Sequence, residues 1–216
     1  EADATAALLT NISGFRAPGD GGNLGILPIA LDDETWNSLL AGSGTDEWSW
    51  DQISQSLVAG SDGVKEVNLY PQGTGSPGNR GTVDIGSDNN STQVLSRQIT
   101  SGITEGDLAH HGGELKFNGS GKLFLNGDTG ISAGIKDELT SIIGQPRTIP
   151  IFTQVQGPGN NATYTIVKFV GVRVLDVKLT GSFSSKKVII QPATMVARGS
   201  IPATDASHSD FVYSDG

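Results

Sequence analysis

Apolar residues recur at helical spacing in four short stretches of the chain. In the first, acidic residues precede Trp36, Leu39 and Leu40, and acidic groups in a first turn interact favourably with the helix dipole. Residues able to cap a helix precede the others, as Thr104 does with Asp107 three positions later. The pattern predicts four short helices, over residues 32–42, 93–101, 104–111 and 133–143, and the last has the clearest apolar face.

The last third of the chain changes to β-branched and aromatic residues separated by glycine, proline and asparagine. These residue types favour strands and turns respectively. The longest run, Thr163–Leu179, is mostly apolar on both faces at a period of two, with Tyr164 and Val170 on one face and Phe169 on the other. It is too long for one flat strand, so we expect a bend or bulge at Gly171. Such a strand lies either in the middle of a sandwich or under a partner molecule.

These elements predict a β-rich α+β fold: an antiparallel sheet or sandwich with three or four short helices and long glycine-rich loops. Residues 43–63 and 71–81 are predicted to be loops because turn-forming residues interrupt any periodicity. We expect one globular domain over residues 12–202, with an N-terminal arm over 1–11 and a C-terminal tail over 203–216, since both ends hold too few apolar residues to fold alone.

Net charge and composition indicate which classes of partner the protein can bind. The 216 residues include 23 acidic and 14 basic side chains, a net charge of −9. Nucleic-acid binding needs clustered lysine and arginine, so we expect no nucleic-acid partner. Charged residues make up 17% of the chain, against about 25% in an average domain. Glycine and small polar residues take their place, which is typical of a loop-rich β protein.

The chain contains no cysteine, which excludes disulfides, thiolate metal ligands and cysteine nucleophiles. No stretch reaches the roughly 18 apolar residues that a membrane span requires. The first residue is Glu1, with no basic and apolar leader after it. We therefore expect a processed, exported product of the cell envelope or the extracellular space, whose signal or membrane anchor precedes Glu1.

His110 and His111 form the only histidine cluster, one turn after Asp107. An exported hydrolase or carbohydrate-binding module would use these histidines together with the acidic loops. The alternative is structural, because histidines at the end of a helix also interact favourably with its dipole. Adjacent helical side chains point about 100° apart, which disfavours joint ligation of one ion. Trp48 and Trp50 can line a sugar-binding surface or pack within a core or interface.

Calcium is the one cofactor that the residues suggest, because acidic loops supply the oxygen ligands it prefers, although no EF-hand spacing is present. The glycine-rich run 73–81 either cradles an anion on backbone amides or forms a simple turn. Asn-x-Ser/Thr sequons would accept glycans in an exported, glycosylating context. The acidic loops contain Asp32, Asp33, Glu34; Asp46, Glu47, Asp51; Asp84, Asp88; and Asn126, Asp128. The sequons lie at Asn11, Asn89, Asn90, Asn118 and Asn161.

Three long blocks, residues 66–92, 111–152 and 162–181, resemble the soluble C-terminal region of TadE/TadG-like proteins, the Flp (Tad) pilus-assembly proteins of planctomycete-type bacteria. The resemblance runs from about residue 22 to 211. It implies an exported part that faces the outside of the cytoplasmic membrane, behind a hydrophobic anchor helix that lies outside this chain. The resemblance supplies no catalytic residues.

The sequence thus leads to a non-catalytic structural or assembly protein of a pilus-like or extracellular filament. It would act through β-rich contacts with its own copies or with other envelope and pilus subunits. Apolar residues near the two ends are the expected interface, because terminal arms are readily stabilised by docking into a neighbour. These interface residues are Leu8, Leu9, Phe211, Val212 and Tyr213. The hydrolase or carbohydrate-binding module remains the alternative.

Overall fold

The computed structural model describes residues 12–69, 79–86, 90–203 and 209–214, with the side chains of Phe183 and Ser214 left aside. Within these residues the α-helices are α1 (Asp33–Leu40), α2 (Thr92–Ser101), α3 (Glu105–Ala109) and α4 (Lys136–Ser141). Short 3-10 turns cover Ala133–Ile135, Gly159–Asn161 and Phe183–Ser185. The strands are β1 (Ile12–Arg16), β2 (Ile29–Asp32), β3 (Trp48–Asp51), β4 (Ser56–Ala59), β5 (Val67–Asn68), β6 (Arg80–Val83), β7 (Glu114–Lys116), β8 (Leu123–Asp128), β9 (Pro146–Gln156), β10 (Ala162–Lys178), β11 (Lys187–Pro192), β12 (Met195–Ala197), β13 (Ser200–Pro202), β14 (Ser209–Asp210) and β15 (Val212–Ser214).

Side chains cap three of the α-helices in the described residues. Asp32 accepts the backbone N–H of Thr35 at 2.8 Å, Ser91 caps α2, and Thr104 forms a reciprocal capping box with Asp107. The predicted helix over 133–143 is corrected: its first turn is a 3-10 turn, and α4 ends at Ser141. Gly134 lies in that first turn, and glycine has a low helix propensity.

The main sheet has the strand order β5-β11-β10-β8-β6-β2-β9 within the described residues, and β9 also pairs with β10. The pairing of β9, β2, β6, β8 and β10 therefore closes on itself as a small five-stranded barrel. Most pairs are antiparallel, but β2–β9 and β10–β14 are parallel. A second sheet has the order β13-β1-β7. Strands make up 44% and helices 20% of the described structure, so the predicted β-rich α+β class is confirmed.

Strand β10 contributes to two hydrophobic cores. Tyr164 and Phe169 belong to the core under the β13-β1-β7 sheet, whereas Val170 and Val174 belong to the core covered by α1, α2 and α4. The register against β9 shifts twice, between Thr165 and Ile166 and between Ile166 and Lys168, and the register against β11 shifts between Val174 and Asp176. Each extra residue exchanges the two faces of the strand. The predicted uniform alternation along this strand is therefore wrong.

The expected bulge at Gly171 is also wrong, because the register with β9 is regular from Lys168 to Arg173. Gly171 serves another purpose. A Cβ atom there would overlap the carbonyl oxygens of Ala193 and Phe211. The missing side chain lets two further backbone segments approach β10 at this position.

Tyr164 fills the barrel interior. It is fully buried, contacts Phe152 edge-to-face at 4.9 Å between ring centroids, and donates its hydroxyl to the carbonyl of Asp128 at 3.1 Å. A Cβ atom at Gly81 or Gly127 would collide with the Tyr164 ring or hydroxyl, so these two glycines provide the space for it. Burial, with a smaller effect of Asp128, raises the pKa of Tyr164 to about 12.

Two segments differ from the sequence prediction. The expected loop over 43–63 contains the antiparallel pair β3–β4, and the expected strand over Val64–Tyr70 is reduced within the described residues to β5, next to an isolated bridge at Glu66. Trp48 and Trp50 are two positions apart, as expected of side chains on one face of a strand. The surrounding glycine, serine and aspartate residues favour turns, and for that reason the segment was predicted to be a loop.

Candidate functional site

The predicted C-terminal tail is docked on the domain. Residues Ser209–Ser214, which we call the C-terminal clasp, form β14 beside β10 and β15 beside β12. Val212 is 1% exposed within the core, Phe211 packs partly buried against the other core, and Tyr213 is partly exposed. The predicted tail is therefore docked over these residues, and their predicted role in contacts between chains stays a prediction. The other two predicted interface residues, Leu8 and Leu9, lie outside the described residues.

One carboxylate oxygen anchors the clasp. Oδ2 of Asp210 accepts the indole N–H of Trp36 at 3.0 Å and the ammonium group of Lys168 at 2.9 Å. Trp36 is fully buried, and its ring meets that of Phe211 edge-to-face, with centroids 6.1 Å apart. Buried indole N–H groups need an acceptor. The clasp therefore supplies the acceptor for the indole N–H of Trp36 in α1, in addition to pairing with β10 and β12.

The β3–β4 pair, residues 48–59, is a separate ribbon, and neither of its strands pairs with another strand of the described chain. Its inner face packs through Trp50, which lies 4.4 Å below the guanidinium carbon of Arg173 and against Gly144. The buried carboxylate of Glu66 accepts the backbone N–H groups of Glu47 and Trp48 at the base. A two-stranded ribbon is marginal by itself, so these contacts fix its position.

The tip of the ribbon presents an apolar side chain to solvent. Ile53 is 96% exposed, and Val58 on the outer face is also exposed. The turn is well ordered by hydrogen bonds, because Asp51 accepts the backbone N–H groups of Ile53 and Ser54 and the Ser54 hydroxyl. These bonds hold the pKa of Asp51 below its usual range. The ribbon thus holds an exposed isoleucine in a fixed turn.

An open groove of about 830 Å³ lies beside the start of α1. Its lining includes three predicted acidic residues, Asp32, Asp33 and Glu34, together with Asn79. Oδ2 of Asp32 and Oδ1 of Asn79 are both buried without a hydrogen-bond donor. The carboxylates of Asp33 and Glu34 supply the groove with acceptor oxygens, so polar ligands with N–H or O–H groups match its chemistry.

The histidine pair lies at the end of α3, as the structural alternative requires. His110 is exposed, while burial, with a smaller effect of His110, lowers the pKa of His111. Asp107 does not join them. Both of its oxygens are held by Arg97, at 2.6 and 3.0 Å, and Thr104 donates to one of them. Burial acts to raise the pKa of Asp107, but the hydrogen bonds from Arg97 and Thr104 prevail and lower it.

Side-chain oxygens of the other acidic loops accept hydrogen bonds from backbone N–H groups. Asp46 accepts the backbone N–H of Asp62, Asn126 accepts that of Gly127, and Asp128 accepts that of Gly130. Among the described residues, no group of three His, Cys, Asp or Glu side chains is placed to hold a metal ion. Asp84 is buried, Glu47 borders a cavity at the ribbon base, and Asp88 lies outside the described residues, as does most of the glycine-rich run 73–81.

The predicted glycosylation sites differ in access. Asn118 and Asn161 are exposed, each at a turn between strands. Asn90 is partly buried and donates to the carbonyl of Thr82 at 3.3 Å. Asn11 and Asn89 lie outside the described residues.

Sequence reasoning missed Trp36, Lys168, Asp210 and Ile53 as functional candidates. The first three come from distant parts of the chain, so no local pattern joins them. For Ile53, a single isoleucine between polar residues was the available signal.

Comparison with protein-family models, with curated proteins and with solved structures finds no match to this chain. In the described part of the chain, no helix combines the length and the apolar character needed to cross a bilayer.

Proposed function

We propose that this chain is a non-catalytic, exported structural protein that assembles with its own copies or with other envelope subunits in a pilus-like or extracellular filament. The observation that carries this proposal is the β3–β4 ribbon. It is fixed to the domain by buried contacts at its base, yet it holds the side chain of Ile53 in solvent. An apolar side chain that is already held in a hydrogen-bonded turn needs little further ordering to bind another protein.

The free edge of the ribbon adds a second means of contact. In the described structure β4 pairs only with β3, so the backbone groups on the other edge of β4 face no strand and suit strand addition. Export is supported by the absence of cysteine, by the low fraction of charged residues and by the resemblance to TadE/TadG-like pilus-assembly proteins.

The test is the concentration dependence of association, measured by sedimentation velocity, with electron microscopy for filaments. Full burial of an isoleucine contributes about 1.5–3 kcal/mol. Ile53→Ser should therefore weaken association by roughly 10- to 100-fold, at about 1.4 kcal/mol per tenfold. The matched control is Leu40→Ser, which removes an exposed leucine from α1 instead.

Two results would contradict the proposal. Unmodified protein that stays monomeric up to about 1 mM would exclude association of useful strength. Equal weakening by Ile53→Ser and Leu40→Ser would show that the ribbon is not the contact.

The groove beside Asp32 favours a second candidate, an exported hydrolase or carbohydrate-binding module. Its acidic lining, with Asp33 and Glu34, suits the hydroxyl groups of a sugar. A panel of glycan-binding and hydrolase assays, with and without Ca²⁺ or Zn²⁺, tests it. Activity or binding lost in Glu34→Gln but kept in His110→Ala would support the groove, and a negative panel would remove the candidate.

A further inference from the structure

The clasp occupies a gap in the edge of β10. One edge of this strand pairs with β9 from Thr163 to Arg173. On the opposite edge, β8 pairs up to Ile166 and β11 pairs from Val172 onwards. Between them, β14 pairs in parallel with Phe169 and Val170. The last strand of the chain therefore fills a short opening between two other strands.

This opening is costly to leave empty. Phe169 and Val170 are both fully buried, and so is Trp36, whose indole N–H is bonded by the clasp. Without the clasp these backbone and indole groups would lose their partners, and each buried unsatisfied group costs about 1–3 kcal/mol. Val212 would also leave the core. The opening therefore requires an occupant, although the contacts do not require that the occupant belong to the same chain.

Several features make the clasp a separable unit. Six residues separate it along the chain from the end of β13, and its two strands are two and three residues long. Both pair in parallel, which is the less stable arrangement per residue. A short terminal segment held by few strand pairs is readily exchanged between copies.

We propose that the clasp is exchanged between copies, so that Ser209–Ser214 of one chain fills the opening in β10 of the next. This inference rests on the proposed function, because it names the occupant and the contact of the assembly. The same hydrogen bonds and the same apolar contacts form in both arrangements, so protein concentration decides between them. A copy that donates its clasp to one neighbour and accepts that of another continues the assembly head-to-tail.

The length of chain limits the geometry. From Pro202 at the end of β13 to Ser209, an extended chain spans at most about 25 Å. The donor and acceptor domains must therefore touch. This requirement agrees with a compact filament and excludes a chain of widely separated domains.

The absence of cysteine permits a direct test by disulfide trapping. Val196 and Tyr213 are register partners across β12 and β15, and both are at least partly exposed. Neighbouring strands bring such positions within disulfide reach. Chains with Val196→Cys and chains with Tyr213→Cys are mixed at high concentration, or refolded together from urea, and then oxidised. The control is one chain that carries both Val196→Cys and Tyr213→Cys. A disulfide formed within this chain shows that the substituted protein folds with the native register of β12 and β15.

Exchange predicts a 196–213 disulfide between the two different chains, identified by mass spectrometry and at least about tenfold more abundant than 196–196 or 213–213 links. It should increase with protein concentration. Sedimentation of the unsubstituted protein separates the two proposals. Assembly with only internal 196–213 closure, or with only same-position links, overturns exchange and leaves the proposed function standing. A monomer with no link between chains overturns both.

Discussion

The anchor of the clasp is best tested by removing the carboxylate of Asp210. Its Oδ2 atom accepts from Trp36 and from Lys168 at once, and the two donors come from α1 and β10. Asp210→Ala removes both interactions without adding bulk. The loss should destabilise the folded chain rather than only release its end, because Trp36 is fully buried.

The two interactions differ in size. An indole N–H left buried without an acceptor costs about 1–3 kcal/mol. The ion pair with Lys168 is partly screened, since the two side chains are 21% and 28% exposed, and such pairs contribute up to about 1 kcal/mol. We therefore expect Asp210→Ala to lower the free energy of unfolding by about 2–3 kcal/mol, most of it through Trp36.

A double-mutant cycle separates the two contributions. Trp36→Phe removes the donor and keeps an aromatic ring, so Asp210→Ala should cost about 1–2 kcal/mol less in that background. Urea unfolding followed by far-UV circular dichroism is suitable, because the Trp36→Phe substitution itself alters fluorescence. Asp137→Ala is the matched control, since its carboxylate pairs with Lys136 but is 90% exposed; it should leave stability unchanged within error.

A coupling between Trp36 and Asp210 below about 0.5 kcal/mol would refute this reasoning, because distant, independent sites show additivity within that limit. A cost in Asp210→Ala no greater than in Asp137→Ala would also refute it. In either case the hydrogen bond would not anchor the clasp.

Two further predictions concern the domain itself. Gly81→Ala should lower the free energy of unfolding by about 1–3 kcal/mol, because the new methyl group overlaps Tyr164. The control Gly119→Ala adds a methyl group in open space and should leave the thermal stability unchanged. Equal melting temperatures of the two variants would contradict this prediction. The lowered pKa of Asp107 stabilises the fold above its unfolded value of 3.8, and this contribution is lost as the pH falls through the folded pKa. Asp107→Asn should therefore flatten the fall in stability measured between about pH 6 and 2, and parallel curves for the two proteins would exclude a role for the pair with Arg97.

Local signals predicted the helices well. Asp32, Ser91, Thr104 and Ser132 each accept a backbone N–H at the start of a helical segment, as expected of capping residues. A capping side chain and the backbone N–H that it accepts are two or three residues apart, so a short stretch of sequence contains both partners of the interaction. The β-rich class was also predictable, because residue type and turn chemistry are local properties.

The candidate sites depended on distant partners. Asp210 and Trp36 are 174 positions apart, and nothing near either residue indicates the other. The ribbon was wrongly predicted to be a loop. Its stability comes from contacts with Glu66 and Arg173, which are distant in sequence, and not from its own four-residue strands. The clasp was predicted to be a free arm because its few apolar residues cannot form a core alone. They are sufficient to complete a core that already exists.

The irregularity of β10 explains why the fold has a place for the clasp at all. The pairing with β9 skips Val167 on β10 and Thr153 on β9, and such irregularities bend the strands and increase the local twist. The bend falls where β8 stops and before β11 starts, so β10 diverges from one neighbour before it meets the next. The same shift of one position exchanges the two faces, which places Phe169 in one core and Val170 in the other. A strand without Val167 would send Val170 and the residues after it to the opposite faces, and it could not serve both cores. The shared strand and the opening on its edge therefore have one origin, so a chain that keeps this two-core sheet must also supply a segment to fill the opening, either its own or that of a neighbour.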